Sequence, residues 1–129
     1  MLQVVSWMAV ACYMVGIWWL SSQGAQITAR VDAAGIPDFY AHLVLFGGLS
    51  LLVRLALWSS WPHQSELWLG GLAAGVVFGY GIVDEIHQHF VPGRGTDAQD
   101  LLGDLAGAIS GQVLVLVAPW VWRLVHGAG

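Results

Sequence analysis

The chain has 129 residues, 57% hydrophobic and 9% charged, with a formal net charge of −4 at pH 7. A soluble domain carries roughly a quarter charged residues, so this chain lacks the polar surface to cover itself in water, and lipid is its expected solvent. With no lysine and only Arg30, Arg54, Arg94 and Arg123 as fixed cations, it also lacks the basic clusters that nucleic acid requires.

The first apolar run, Leu2 to Leu20, is long enough to cross the ~30 Å hydrocarbon core. No Lys or Arg precedes Arg30, and the run ends in Trp18-Trp19-Leu20. It therefore reads as a retained transmembrane helix with an interfacial tryptophan pair, not as a cleaved signal peptide. Cys12, inside this run, reads as a small hydrophobe. A polar segment from Ser21 to Pro37 follows, with a short interfacial helix expected around Gln26 to Ala34 and closed by Gly35 and Pro37. Further spans are expected over about residues 39–58, 67–83 and 101–125, with Pro119 ending or kinking the last. Trp58, Trp61 and Trp68 bracket the second loop, and Trp120 and Trp122 lie near the C-terminus, all suited to membrane–water interfaces. The expected fold is an all-α membrane protein, one domain built as a bundle of four transmembrane helices.

Four spans place both termini on one side. Arg54 and Arg123 fall with the termini, Arg30 and Arg94 with the other side, so the positive-inside rule gives a tie. Cytoplasmic termini are expected on the view that Arg94 serves function, not topology. Gly71, Gly75 and Gly79 on the third span, and Gly103, Gly107 and Gly111 on the fourth, form two small-residue ladders, whose simplest reading is a close pairing of those two helices.

Charges in or near lipid cost several kcal/mol unless paired or hydrated, so each asks for a reason. Asp38 and His42 stand four residues apart at the start of the second span. Asp84, Glu85, His87, Gln88 and His89 end the third, followed by Arg94, Asp97, Asp100 and Asp104. Alternating spans bring all of these to one end of the bundle, as a polar cluster at one membrane face. At 100° per residue, Asp100, Asp104, Gly107 and Gly111 fall within a sector about 60° wide, pointing the carboxylates into the bundle. Asp84 and Glu85 lie on different faces and are expected to meet different partners.

Four chemistries remain open for this cluster. His42 could act as a general base oriented by Asp38, with Glu85 as a further catalytic acid or base. The Asp, Glu and His side chains are suitable ligands for a divalent metal. Arg94 could hold an anionic lipid headgroup, with Asp84, Gln88, Asp100 and Asp104 completing the binding site. Or the cluster could simply staple helix ends together. The chain has no GxSxG elbow, HExxH pair or Walker loop, so any nucleophile would come from Asp, His, Ser21, Ser22 or Thr96.

The run from Gly81 to Arg94 (Gly-Ile-Val-Asp-Glu-Ile-His-Gln-His-Phe-Val-Pro-Gly-Arg), followed by Asp100 and the Gly107 and Gly111 pair, closely resembles the VanZ-like family. Asp38-Phe39-Tyr40-Ala41-His42 resembles the family's Asp-Lys-x-x-His pattern, and Ser21-Ser22-Gln23 is similar too. Three positions depart: Phe39 replaces the usual lysine, Phe46 a common tyrosine and Asp104 a common asparagine. The resemblance covers nearly the whole chain. It implies a multi-pass protein of the bacterial plasma membrane, related to a protein associated with teicoplanin resistance. The expected partner is a membrane lipid or lipid-linked envelope precursor bound at Arg94.

Overall fold

The computed structural model describes residues 1–24, 35, 37–95 and 97–126. It contains four helices: α1 (Leu2–Ser21), α2 (Asp38–Ser60), α3 (Glu66–His89) and α4 (Ala98–His126). Each is long and apolar enough to cross a membrane. The interfacial helix expected over 26–34 falls outside the described residues.

Burial is inverted relative to a soluble protein. Ser50, Arg54, Asp84, Gln88 and Asp104 are buried, while Leu2, Val44, Leu67, Ile86 and Leu114 face outward. This is the pattern expected where lipid is the solvent, because polar groups must find partners inside the bundle. Trp18, Trp19, Trp58, Trp61, Trp68, Trp120 and Trp122 are exposed near helix ends, in keeping with aromatic belts.

Two helix boundaries differ from the hydropathy reading. α3 continues from residue 83 to His89, since Asp84 and Gln88 point into the bundle and find hydrogen-bond partners there. α4 begins at Ala98 because the Asp97 carboxylate accepts the Gln99 N–H at 2.9 Å and caps the helix. Nor does Pro119 end α4, which runs on to His126. Proline removes one backbone bond, but a helix packed in lipid has few alternatives to staying helical.

α2 is the central element and packs most extensively on α4. The two run parallel: His42 meets Asp104, Ser50 meets Ala108 and Arg54 meets Gln112 in order along both helices. α1 runs antiparallel to α2, with Ser6 Oγ 3.0 Å from Ser59 Oγ. It runs parallel to α3, with the Tyr80 hydroxyl donating to the Met14 carbonyl at 2.7 Å.

The expected pairing of the two glycine ladders does not form. A Cβ on Gly103, Gly107 or Gly111 would strike α2, at Phe39 O, Leu43 O and Ser50 Cβ respectively. The α4 ladder therefore seats α2, not α3. Nothing lies within 4 Å of a Cβ built on Gly71, Gly75 or Gly79. The inward stripe of α3 instead runs through Leu69, Ala73, Val77, Gly81, Asp84 and Gln88. Gly81 is where α3 meets α4, with Asp104 Oδ2 only 2.6 Å from the position of a Cβ.

A second polar network lies at the end bearing the termini. Arg54 donates to the Glu66 carboxylate and to its carbonyl, and reaches Gln112 Oε1 at 3.3 Å. Gln112 Nε2 in turn donates to Ser50 O and Ser50 Oγ. Arg54 is thus a paired, buried residue and not a topological charge. Gln112→Ala is expected to lower stability by about 1–3 kcal/mol, since it strips buried partners from Ser50 and Arg54. A fall in thermal midpoint in detergent checks this.

Candidate functional site

The other end of the bundle gathers the C-termini of α1 and α3, the N-termini of α2 and α4, and the loop carrying Arg94. The local geometry of that loop follows from its sequence. Val91-Pro92-Gly93-Arg94 closes with Arg94 N–H on Val91 O at 3.1 Å, and Gly93 has φ 81°. Proline second and a positive-φ glycine third is the pattern of a type II turn. It folds Arg94 back over the end of α3, where its guanidinium meets Gln88 Oε1 at 3.3 Å and Asp38 Oδ2 at 3.5 Å. A side chain on Gly24, also at positive φ, would meet the Pro92 carbonyl at 2.8 Å, so the loop is held from the α1 side as well.

Beneath Arg94 lies a chain of hydrogen bonds that joins α1 to α3. Gln88 Nε2 donates to Asp84 Oδ2 at 2.9 Å, and Ser21 Oγ donates to the same oxygen at 2.7 Å. Gln88 is an adapter: its amide N–H serves Asp84 and its carbonyl oxygen serves Arg94. Beside this chain, His42 Nδ1–H donates to Asp104 Oδ1 at 2.7 Å, and its Nε2 faces Asp100 Oδ2 at 3.8 Å. Glu85 turns the other way and accepts the Asp97 N–H at 2.7 Å, tying α3 to the start of α4.

All the sequence-selected residues, Asp38, His42, Asp84, Glu85, Gln88, Arg94, Asp100 and Asp104, thus meet at one end. Their pairing differs from expectation in one respect. Asp104, not Asp38, orients His42, because the glycine-mediated approach of α4 to α2 brings Asp104 level with the imidazole. Asp38 instead pairs with Arg94. Asp84 and Glu85 do meet different partners. Among the described residues, no three His, Cys, Asp or Glu side chains are arranged to hold a metal ion.

Several pairings escaped the sequence reading. His87 stacks on Trp18 with ring centroids 3.7 Å apart and lies 2.9 Å from Ser22 Oγ, so it joins α1 to α3. Tyr80 and Phe46 extend the same inner face below His42.

Four buried side-chain atoms among the described residues have no hydrogen-bond partner: Asp84 Oδ1, Glu85 Oε2, Arg94 Nε and Asp104 Oδ2. Every one belongs to this cluster. Buried polar atoms are nearly always satisfied, so such a concentration marks a place with hydrogen-bonding capacity to spare.

The fold and the site define a small all-α membrane protein of four spanning helices with an acid-rich polar cluster at one end. The VanZ/LLP1 family profile matches residues 5–119, and the chain belongs to that family. Searches of curated proteins and of solved structures found no match.

Proposed function

We propose that the polar end of the bundle binds the phosphate-bearing headgroup of an envelope lipid or lipid-linked precursor, with Arg94 as the anion-binding group. The observation that carries this reading is that Arg94, whose side chain is 9% exposed, keeps an unpartnered Nε–H in the cluster that holds the other three unpartnered buried atoms. A guanidinium presents planar donors suited to phosphate, and in a low-dielectric setting such contacts strengthen. Its contacts to Gln88 and Asp38 are long, which leaves it free to take an anion. With termini in the cytoplasm, the site opens toward the outer leaflet of a bacterial plasma membrane. Through such a ligand the protein would act in cell-envelope homeostasis, the setting in which glycopeptide (teicoplanin) resistance arises.

Native mass spectrometry of wild type beside Arg94→Ala tests the proposal. The expected result is a phosphate-bearing lipid retained by wild type and lost from the variant, with thermal midpoints alike. Equal lipid retention by both proteins would remove the basis for the assignment.

A second reading, catalysis on the bound lipid, is favoured by the Asp104–His42 contact. A carboxylate on Nδ1 fixes the tautomer and leaves Nε2 to take a proton from a water or substrate hydroxyl. This reading requires lipid turnover that His42→Gln abolishes while lipid binding persists. Binding without turnover in wild type excludes it.

A further inference from the structure

The cluster's charge balance says more about the ligand than Arg94 does alone. Five carboxylates, Asp38, Asp84, Glu85, Asp100 and Asp104, converge with one arginine, and His42 is already committed to Asp104. Asp84 and Asp104 are completely buried, and Asp100 is 5% exposed. A purely anionic ligand entering this site would satisfy Arg94 and be repelled by every other charged group. Isolated buried carboxylates carry a large desolvation cost, which a cation or strong hydrogen-bond donor offsets.

The unpartnered atoms give the same answer independently. Arg94 Nε–H is a donor and needs one acceptor. Asp84 Oδ1, Glu85 Oε2 and Asp104 Oδ2 are carboxylate oxygens and need donors. Glu85 turns toward Asp97, so the demand on one ligand is for one acceptor at Arg94 and donors at the two fully buried carboxylates, Asp84 and Asp104. A primary ammonium supplies three N–H donors and a positive charge; a phosphate supplies the acceptor. Phe39, at the position where the resembling pattern has lysine, brings no ammonium of the protein's own to that end. Spacing also agrees. Arg94 bonds Gln88, and Asp84 and Asp104 each sit one helical turn, about 5.4 Å, deeper than Gln88 and Asp100. A two-carbon linker bridges such a separation.

We infer that the ligand is zwitterionic, a phosphate joined by a short linker to a primary ammonium, with the phosphate at Arg94 and the ammonium between Asp84 and Asp104. This rests on the headgroup reading above and adds the ligand's second half. Phosphatidylethanolamine and free phosphoethanolamine both carry this chemistry. Phosphatidylglycerol has the phosphate and hydroxyls without a cation. Phosphatidylcholine has the cation without N–H donors.

The test is binding of these three lipids, and of soluble phosphoethanolamine, to the full-length protein in detergent, read by native mass spectrometry. Phosphatidylethanolamine is expected to bind roughly tenfold more tightly than either other lipid, the worth of about one buried charge-assisted contact. Asp84→Asn, whose amide oxygen can still accept from Ser21 and Gln88 while the charge is removed, is expected to erase most of that preference without moving the thermal midpoint. Should that variant fail to fold, Asp104→Asn gives the same comparison. Equal binding of phosphatidylglycerol overturns the zwitterion inference while leaving the headgroup reading intact. So does phosphatidylglycerol binding that requires added magnesium and is lost with chelator, since a metal would then be the cation. Failure of all four ligands removes the headgroup reading itself. Binding of phosphoethanolamine as tight as the lipid's assigns a free small molecule, and binding by the lipid alone assigns the bilayer; both carry the proposal.

Discussion

Gly107→Val is expected to prevent stable packing of α2 on α4 and to be among the most damaging single substitutions in the chain. A Cβ at Gly107 would lie 2.6 Å from Leu43 O, 2.8 Å from Gly47 N and 3.1 Å from Phe46 C. All three are backbone atoms, so no side chain can swing away, and the helices must separate along their length. Overpacking a tight core costs about 1–3 kcal/mol and more when backbone must move, so a loss of about 3 kcal/mol or failure to fold is expected. In lipid the loss is felt mainly as van der Waals contact, because helices there gain little from leaving solvent. Gly75→Ala is the matched control. Nothing lies within 4 Å of its Cβ, and alanine favours a helix by roughly 0.5–1 kcal/mol over glycine. Thermal unfolding of both variants in the same detergent decides the matter. A wild-type midpoint for Gly107→Val, or a collapse of Gly75→Ala, would mean the wrong ladder had been assigned to the interface.

Asp104→Ala is expected to cost about 2–3 kcal/mol, because it leaves the buried His42 Nδ1–H without an acceptor. His42 is 7% exposed and Asp104 is fully buried, so water cannot easily replace either partner. The pair also sets the depth at which α4 enters beside α2. A double-mutant cycle with His42→Ala isolates the contact. The double variant is expected to be less damaged than the sum of the singles by about 1–2 kcal/mol. Additive losses would show that the two side chains do not depend on each other.

The sequence carries the number of spans, their approximate positions and the gathering of acids, His42 and Arg94 at one end, since alternating helices and apolar length determine those. It does not carry which helix faces meet. Gly71, Gly75 and Gly79 form as regular a ladder as Gly103, Gly107 and Gly111, yet only the second is packed. A ladder tells that a close approach is allowed, and a partner's own shape decides whether it happens. Here Gly47 and Ser50 make α2 the better fit for α4. That one choice also decides the site, since it replaces Asp38 by Asp104 as the partner of His42. Hydropathy likewise stopped α3 at residue 83, because it counts the cost of Asp84 and Gln88 and is blind to Ser21 and Arg94, which hydrogen-bond to them.

The parallel run of α2 and α4 has a consequence for how the protein is made. Parallel neighbours cannot be joined by a short turn, so α3 must cross the bilayer before α4 can reach α2. Chains emerge from the ribosome N-terminus first, and contacts distant in sequence form late. Until α4 inserts, Gly47 and Ser50 lack their backbone partners, Arg54 lacks Gln112, and His42 has no carboxylate at hand. Completion of the fold and completion of the site are therefore one event, the insertion of α4. A chain stalled before α4 presents the membrane's quality-control proteases with unpaired polar groups in lipid, and offers a ligand a site without Asp100 and Asp104.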